Sequence, residues 1–217
     1  PFPAVHPALD RALANKGYAE PTPVQAAVLE GLGEQDLLVS AQTGSGKTVA
    51  FGLAAAGSLL GEAETFGPAD APLALAIAPT RELALQVARE LEWLYAGTGA
   101  QIATCVGGMD FRTEKRALDR GAQIVVGTPG RLRDHLERRN LFPEALRTVV
   151  LDEAAAAAPD LHRPRFETAL ALVEQHKLPL AAVDHRAAGY GYDWSFRPRG
   201  NFDVGIHVRP QHVVRVG

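Results

Sequence analysis

LLVSAQTGSGKT, at residues 37–48, is the most informative segment of this sequence. It begins with an apolar run of strand length and continues as a glycine-containing loop. VAFGLAAAGSLL, at residues 49–60, follows and has the pattern of a helix. A phosphate-binding loop requires this order, because successive backbone N–H groups and the positive end of a helix dipole then surround the phosphates. The segment therefore predicts a nucleotide site.

Each residue type in this loop suits a phosphate ligand. We expect the Lys47 ammonium to reach the outer phosphates as a catalytic group, and the Thr48 hydroxyl to bind Mg²⁺. Ala41 takes the place of the usual first glycine, which is tolerable where the backbone does not need a positive φ. The predicted nucleotide-binding residues of the loop are Thr43, Gly44, Ser45, Gly46, Lys47 and Thr48.

Composition limits the classes of protein to which the chain can belong. Hydrophobic residues make up 47% and charged residues 22% of the 217 residues, as in an ordinary soluble globular protein. The single cysteine, Cys105, excludes a disulfide framework and most metal clusters, suits a reducing cytoplasm, and is expected to be a small buried hydrophobe. The N-terminal segment PFPAVHPALD lacks the pattern of a signal peptide, and no apolar run approaches the roughly 20 residues of a membrane span.

Short apolar runs alternate with helical patterns along the chain. This order predicts an α/β fold, with a mostly parallel sheet and helices on both faces, in which ligands gather at the carboxyl ends of the strands. After the strand that begins at residue 37, the predicted strands are 73–78, 102–106, 122–126, 148–151 and 178–183. The predicted helices are 8–16, 24–32, 49–60, 81–95, 110–120 and 130–139.

Two acidic residues, Asp152 and Glu153, follow the predicted strand 148–151. An acidic residue at such a strand end, downstream of a phosphate loop, is the Walker-B arrangement, in which it holds the Mg²⁺ shared with the loop hydroxyl. We therefore expect Asp152 to bind Mg²⁺ together with Thr48, and Glu153 to orient or deprotonate the attacking water. Both are candidate catalytic residues.

Three further strand ends carry groups that suit the phosphates of a second ligand, including a nucleic-acid backbone. PTRE at residues 79–82 and TPGR at residues 128–131 each combine a hydroxyl, helix-start N–H groups and a guanidinium, while Gly107-Gly108 permits a close backbone approach. Residues 112–139 hold eight Lys/Arg against four acidic residues, an excess opposite in sign to the net charge of −3. Helix capping combined with surface arginines explains the same residues equally well.

Gln25 lies in the first turn of a helix that Thr22 and Pro23 begin, as N-cap and first helical residue. Its amide is either a solvated helix-start side chain, or a donor and an acceptor presented to a purine edge. The residue types alone leave both alternatives open.

In their order from about residue 2 to residue 153, these motifs resemble those of the first RecA-like domain of DEAD-box RNA helicases. The resemblance implies a RecA-like P-loop domain that uses ATP and Mg²⁺, and that contacts an RNA backbone with little sequence specificity. It assigns adenine selection to Gln25, within a motif that includes Tyr18, and stacking on the base to Phe2. The RNA-binding residues that it implies are Pro79, Thr80, Arg81, Gly107, Gly108, Thr128, Pro129, Gly130 and Arg131.

Two motifs depart from the family pattern. Ala155 stands where motif II, Asp152-Glu153-Ala154, should continue with a second Asp, a residue that in the family helps to couple nucleotide state to RNA binding. No Ser-Ala-Thr ends the predicted strand 178–183, although the family pattern places motif III there. The coupling between ATP and RNA is therefore more open to question than nucleotide binding.

The resemblance also sets the expected domain organisation. Residues 1–183 are predicted to form the N-terminal RecA-like ATP-binding domain, and residues 184–217 an atypical tail in which 204–208 and 213–216 could pair as a hairpin. Too few residues follow motif II for the second RecA-like domain that completes the family's catalytic site and RNA cleft. We therefore expect this chain alone to bind ATP or ADP with Mg²⁺, to turn over ATP poorly, and not to unwind duplexes.

An alternative function belongs to a different class of protein. The chain could be a catalytically impaired, helicase-derived module that binds RNA or protein, as Ala155 and the missing Ser-Ala-Thr suggest. The retained Lys47, Thr48 and the acidic pair at 152–153 weigh against this alternative.

Overall fold

The computed structural model describes Phe2 and residues 5–31, 37–41, 44–152, 182–184 and 213–215. Its helices are α1 (Pro7–Asn15), α2 (Pro23–Glu30), α3 (Lys47–Leu60), α4 (Arg81–Leu94), α5 (Phe111–Asp119) and α6 (Pro129–Glu137). Its strands are β1 (Leu37–Ser40), β2 (Ala74–Ile77), β3 (Ile102–Cys105), β4 (Ile124–Gly127), β5 (Thr148–Leu151), β6 (Ala182–Asp184) and β7 (Val213–Arg215). Within this described part of the chain, no helix is long and apolar enough to cross a membrane.

The strands form one sheet in the order β3-β4-β2-β5-β6-β1-β7, and every recorded pair is parallel. β2 lies between β4 and β5, with Ala76 opposite Val126 on one side and opposite Val150 on the other. Because the strands are parallel, their carboxyl ends lie along one edge of the sheet, where ligands bind in open α/β folds. The phosphate loop, the three segments predicted to contact RNA and Asp152 each follow one of these ends, whereas the predicted adenine-binding residues Phe2, Tyr18 and Gln25 precede β1.

Helices cover both faces of this sheet, as the alternation along β2 demonstrates. Ala74 and Ala76 belong to a buried cluster with residues of α1, α3 and α4, whereas Leu75 and Ile77 belong to a second cluster with residues of α6. Successive residues of a strand point to opposite faces, so a strand buried on both sides is apolar throughout. The predicted α/β fold is therefore confirmed.

Capping residues explain where two helices begin. Thr22 Oγ1 accepts a hydrogen bond from the Gln25 N–H at 3.4 Å, and the Thr22 N–H donates to Gln25 Oε1 at 2.9 Å, immediately before α2. Thr80 Oγ1 accepts a bond from the Leu83 N–H at 3.3 Å at the start of α4. The N-cap predicted at Thr22 is confirmed.

The C-terminal part of the chain is described only at β6 and β7. β6 overlaps the end of the predicted strand 178–183, and β7 lies beside β1 in parallel. Residues 204–208, the predicted hairpin partner of 213–216, lie outside the described residues, as do Thr43, Glu153 and Ala155. The hairpin and the boundary at residue 183 stay predictions.

Candidate nucleotide and RNA sites

The P-loop joins β1 to α3, and its glycines adopt backbone conformations that other residues rarely take. Gly44 and Gly46 have φ values of 79° and 88°, and Gly46 is the N-cap of α3. Among the described non-glycine residues only Arg139 has a positive φ, of 54°, so Ala41 occupies the first loop position without backbone strain. The condition under which alanine is tolerable there is met.

Lys47 begins α3, and its side chain is folded back over the loop. It is 6% exposed, and its Nζ donates a hydrogen bond to the carbonyl oxygen of Ala41 at 2.8 Å. A buried ammonium is costly unless it is paired, and this contact satisfies one of its three donors. The ammonium is thus held at the loop itself, where its charge can strengthen a hydrogen bond to an anionic ligand.

Thr48 and Asp152, the two predicted metal ligands, both border a small, almost wholly apolar cavity of about 30 Å³ between α3, α4 and the sheet, which shows that the two residues are close together and is not itself the metal site. Asp152 directly follows β5, is 7% exposed, and donates its N–H to the Ile77 carbonyl at 2.9 Å. Hydroxyl and carboxylate oxygens are hard ligands of the kind that Mg²⁺ prefers. Ser45 Oγ, in the loop, is buried without a hydrogen-bond partner among the described residues, which suits an incoming phosphate oxygen. This donor set fits Mg²⁺ with a phosphate ligand.

Gln25 is completely buried, so the solvated alternative is wrong. Its Oε1 accepts the Thr22 N–H, and its Nε2 donates to the Gly46 carbonyl at 3.4 Å. Thr22 Oγ1 adds a hydrogen bond to the Ser45 carbonyl at 2.8 Å. The first turn of α2 is therefore joined to the P-loop at two successive residues, a connection that the sequence pattern did not predict.

The two aromatic residues expected near adenine pack against the core. Tyr18 stacks on Trp93 of α4, with ring centroids 5.6 Å apart, and Lys16 Nζ lies 5.3 Å from the Trp93 ring. Phe2 is half-buried and packs against the cluster formed with α1, α3 and α4. Their stacking or binding to a base stays a prediction.

The three segments predicted to contact RNA lie at the ends of neighbouring strands. PTRE follows β2, Gly107-Gly108 follows β3 and TPGR follows β4, and β4 lies between the other two strands. Arg81 Nη1 donates to the Gly107 carbonyl at 3.0 Å, and Arg131 Nη2 donates to the Met109 carbonyl at 3.3 Å. The structure thus brings all three segments together around the turn at residues 107–109.

The capping explanation of these segments holds for one threonine and not for the other. Thr80 caps α4 through its hydroxyl, whereas the Thr128 hydroxyl makes no capping bond to α6. The Thr128 backbone N–H instead donates to the Cys105 carbonyl at 3.0 Å, and this ties the start of α6 to β3. Pro129 is buried at the start of α6, and Gly130 is exposed beside it.

A buried carboxylate lies beneath the same turn. Glu114, 1% exposed, accepts the Val106 N–H at 2.9 Å through Oε1, and its Oε2 lies 2.8 Å from His135 Nε2 and 3.5 Å from Arg131 Nη1. His135 is fully buried and stacks on Phe111, with ring centroids 4.3 Å apart. The available signal was the position of Glu114, three residues after Phe111 on the core-facing side of an amphipathic helix.

Cys105 is a buried free thiol beside this carboxylate. Burial first, and then the negative charge of Glu114, raise the pKa of the Cys105 thiol from 9.0 to about 12, while the Arg131 charge acts in the opposite direction. Cys105, Glu114 and His135 are the one group of potential metal ligands within the described residues. Because the Glu114 carboxylate already bonds to His135 and lies beside the Arg131 cation, it is engaged within the protein, and the group is not a cation site. The prediction of a buried cysteine is confirmed.

Comparison with known proteins adds independent information. The family model described as "DEAD/DEAH box helicase" matches residues 22–182. The DEAD-box ATP-dependent RNA helicase CshA of Bacillus licheniformis is 42% identical over 147 residues, which are 67% of this chain and 29% of that protein. The crystal structure of a DEAD box protein from the hyperthermophile Methanococcus jannaschii is similar at a TM-score of 0.67 and 28% identity, over 84% of this chain and 48% of that one. The chain spans less than half the length of these relatives.

Proposed function

Because this chain belongs to the DEAD/DEAH box helicase family, we propose that it is the ATP-binding and RNA-contacting domain of an ATP-dependent RNA helicase. One observation carries the proposal: a P-loop lysine and threonine lie at the same sheet edge as the strand-end carboxylate of Asp152. In the full enzyme this domain couples ATP binding and hydrolysis to the local destabilisation of RNA duplexes.

Nucleotide binding is assigned to the P-loop. The N–H groups at residues 43–48 and the start of α3 bind the phosphates, and Lys47 Nζ exchanges the Ala41 carbonyl for a phosphate oxygen. Gln25 selects adenine with its amide, and Phe2 and Tyr18 contribute the apolar side of the base site.

Mg²⁺ binding is assigned to the Thr48 hydroxyl and the Asp152 carboxylate, partly through water. When bound, Mg²⁺ neutralises charge on the phosphates and fixes their geometry. Glu153 orients the attacking water and accepts its proton. The burial of Asp152 keeps its carboxylate close to the loop and limits its access to bulk water.

RNA binding is assigned to the sheet edge that carries PTRE, Gly107-Gly108 and TPGR. N–H groups, hydroxyls and guanidiniums bind phosphate oxygens, which carry no sequence information, so the contact has little base specificity. A second RecA-like domain completes the RNA cleft and the catalytic site in the full-length protein, and we place that protein in the cytoplasm.

A competition titration tests the nucleotide part of the proposal. A fluorescent adenine nucleotide with Mg²⁺ is bound to the 217-residue chain and displaced by ATP, ADP or GTP. We expect displacement by ATP and ADP but not by GTP, and much weaker binding in Lys47→Ala. Displacement by GTP as effective as that by ATP would contradict adenine selection, and unchanged binding in Lys47→Ala would contradict the assigned phosphate site.

The motif II sequence keeps the second candidate function open. Ala155 replaces the Asp that in the family couples nucleotide to RNA, as expected of a catalytically impaired module that binds RNA or protein. Ala155→Asp within a two-domain protein distinguishes the two functions. A large gain in RNA-stimulated ATP turnover indicates a helicase weakened at this residue, and no gain favours the binding module.

A further inference from the structure

We propose that Glu114 is a positioning residue for RNA binding, which fixes the turn at residues 107–109 so that its backbone faces the RNA. This inference rests on the proposed RNA contact. It assigns a role to a buried charged residue that none of the recognised motifs contains.

The turn is held by two arginines, one bonded to its first residue and one bonded to its last. Arg81 Nη1 donates to the Gly107 carbonyl, and Arg131 Nη2 donates to the Met109 carbonyl. A Cβ on Gly108 would lie 2.7 Å from Arg81 Nη1, so the guanidinium lies directly against this glycine, whose φ is 80°. Arginines that are expected to bind phosphate therefore also shape the turn.

The two arginine contacts fix the direction of the peptide groups. In a trans peptide the carbonyl and the N–H point in opposite directions, and the described residues contain no cis peptide. Because the Gly107 carbonyl points to Arg81, the Gly108 N–H points away from it. Gly107 and Gly108 are both exposed, so this N–H is available to a phosphate oxygen.

Glu114, which is buried, contacts both the start of this turn and Arg131. Its Oε1 accepts the N–H of Val106, the residue before the turn, and its Oε2 lies 3.5 Å from Arg131 Nη1. His135 Nε2, at 2.8 Å from the same Oε2, fixes the orientation of the carboxylate, and His135 is itself held by stacking on Phe111. One buried side chain thus contacts the start of the turn and the arginine that holds its end.

The two possible roles of Glu114, as a negative charge near the RNA or as a support for the turn, predict opposite changes in RNA affinity when Glu114 is neutralised. If Glu114 acted only as a negative charge near the RNA, its removal would strengthen the binding of a polyanion. If it positions the turn and Arg131, its removal weakens binding although the site becomes more positive. Glu114→Gln separates these effects, because the amide oxygen can still accept the Val106 N–H while the attraction to Arg131 is lost.

The experiment measures the binding of a short fluorescein-labelled single-stranded RNA by anisotropy at low salt. We expect Glu114→Gln to weaken binding about fivefold to tenfold, the size of one displaced hydrogen-bonding contact, with nucleotide affinity unchanged. Asp119→Asn is the matched control, because Asp119 is exposed on the same helix and paired with Lys115. It should not weaken binding.

In an Arg131→Met background, Glu114→Gln should cause less than about a twofold further loss of RNA affinity, because Glu114 acts through that arginine.

Amide hydrogen exchange of the free protein supplies a second readout. We expect the Met109 amide, whose N–H donates to the Val106 carbonyl at 3.4 Å across the turn, to exchange faster in Glu114→Gln, measured relative to core amides that report global unfolding. Equal or tighter RNA binding by Glu114→Gln, or weaker binding without faster exchange of the turn, would overturn the positioning role. If the unsubstituted chain binds no RNA but Glu114→Gln still exchanges faster at the turn, the proposed RNA contact is wrong, whereas the positioning of the turn by Glu114 is supported. Glu114→Ala, which also removes the Val106 bond, should exceed Glu114→Gln in both effects.

Discussion

Gln25 and Gly46 are joined by a hydrogen bond, in which the Gln25 amide donates to the Gly46 carbonyl at 3.4 Å. Gly46 is the N-cap of α3 and has a left-handed conformation, and a Cβ there would lie 2.6 Å from Gln25 Nε2. The segment expected to recognise the base is therefore in direct contact with the loop expected to bind the phosphates.

Gln25→Ala removes both ends of this connection. The half-buried Thr22 N–H and Gly46 carbonyl each lose a partner, and we expect the free energy of unfolding to fall by about 1–3 kcal/mol. ATP affinity should fall with it, and discrimination against GTP should diminish. Urea denaturation and the competition titration measure the two effects. Gln86→Ala, at an exposed glutamine of α4, is the control and should change neither quantity.

Substitution by alanine should have opposite effects on stability at two glycines of α3. A Cβ on Gly52 would lie 2.5 Å from Leu94 Cδ2 and 3.1 Å from Leu91 Cδ2, so Gly52→Ala should destabilise the fold by about 1–3 kcal/mol. Gly57 is exposed, and nothing lies within 4 Å of its Cβ position, so Gly57→Ala should stabilise by about 0.5–1 kcal/mol. Thermal unfolding measures both. A stabilised Gly52→Ala would mean that α3 and α4 pack less closely than described.

Arg81 should matter for RNA more than another arginine of the same helix. Arg81→Ala removes a guanidinium and its bond to the Gly107 carbonyl, and we expect weaker RNA binding with a salt dependence lower by about one charge. Arg89→Ala, at an exposed position of α4, removes the same charge away from the turn. Equal losses in the two variants would indicate non-specific attraction. Anisotropy titrations at several salt concentrations measure the slope.

Cys105 should make stability depend on pH in the alkaline range. The pKa of its thiol is raised by burial from 9.0 to about 12, so the unfolded chain loses this proton first as the pH rises. The stability that the buried, protonated thiol contributes is fully present below pH 9. It is lost between pH 9 and about 12, where the free energy of unfolding falls by about 1.4 kcal/mol per pH unit. Cys105→Ala should make the decline shallower than in the parent, as measured by urea denaturation at a series of pH values. Identical slopes would place the thiol in contact with water.

The order of strands and helices was predictable from the sequence because buried parallel strands are apolar throughout and end at recognisable loops. Thr148–Leu151 and the helix at 81–94 were placed within one residue for that reason. The position of the glycine-containing loop between β1 and α3 was predictable as well, whereas its binding of phosphate stays a prediction. The sheet order was not, because the pairing of β2 with β4 and β5 depends on contacts between distant segments.

Side-chain partners were the other feature that the sequence could not supply. The pattern identified Gln25 as a candidate, but its burial depends on the position of Gly46, which only the folded loop determines. Glu114 was counted among the charges of a basic segment, although its neighbours in space are Val106, Arg131 and His135. The sequence alone does not distinguish a charged residue that is buried with partners from one that is exposed on the surface.

The sheet order also determines when the nucleotide site can form during synthesis. Among the described strands, β1 pairs only with β6 and β7, which leave the ribosome after all the others. β2, β3, β4 and β5 can assemble earlier, because their mutual pairings need nothing beyond Leu151. The loop after β1 is therefore made well before β6 and β7, the strands that flank β1, so retention of a nucleotide by a nascent chain would report that these strands have paired with β1.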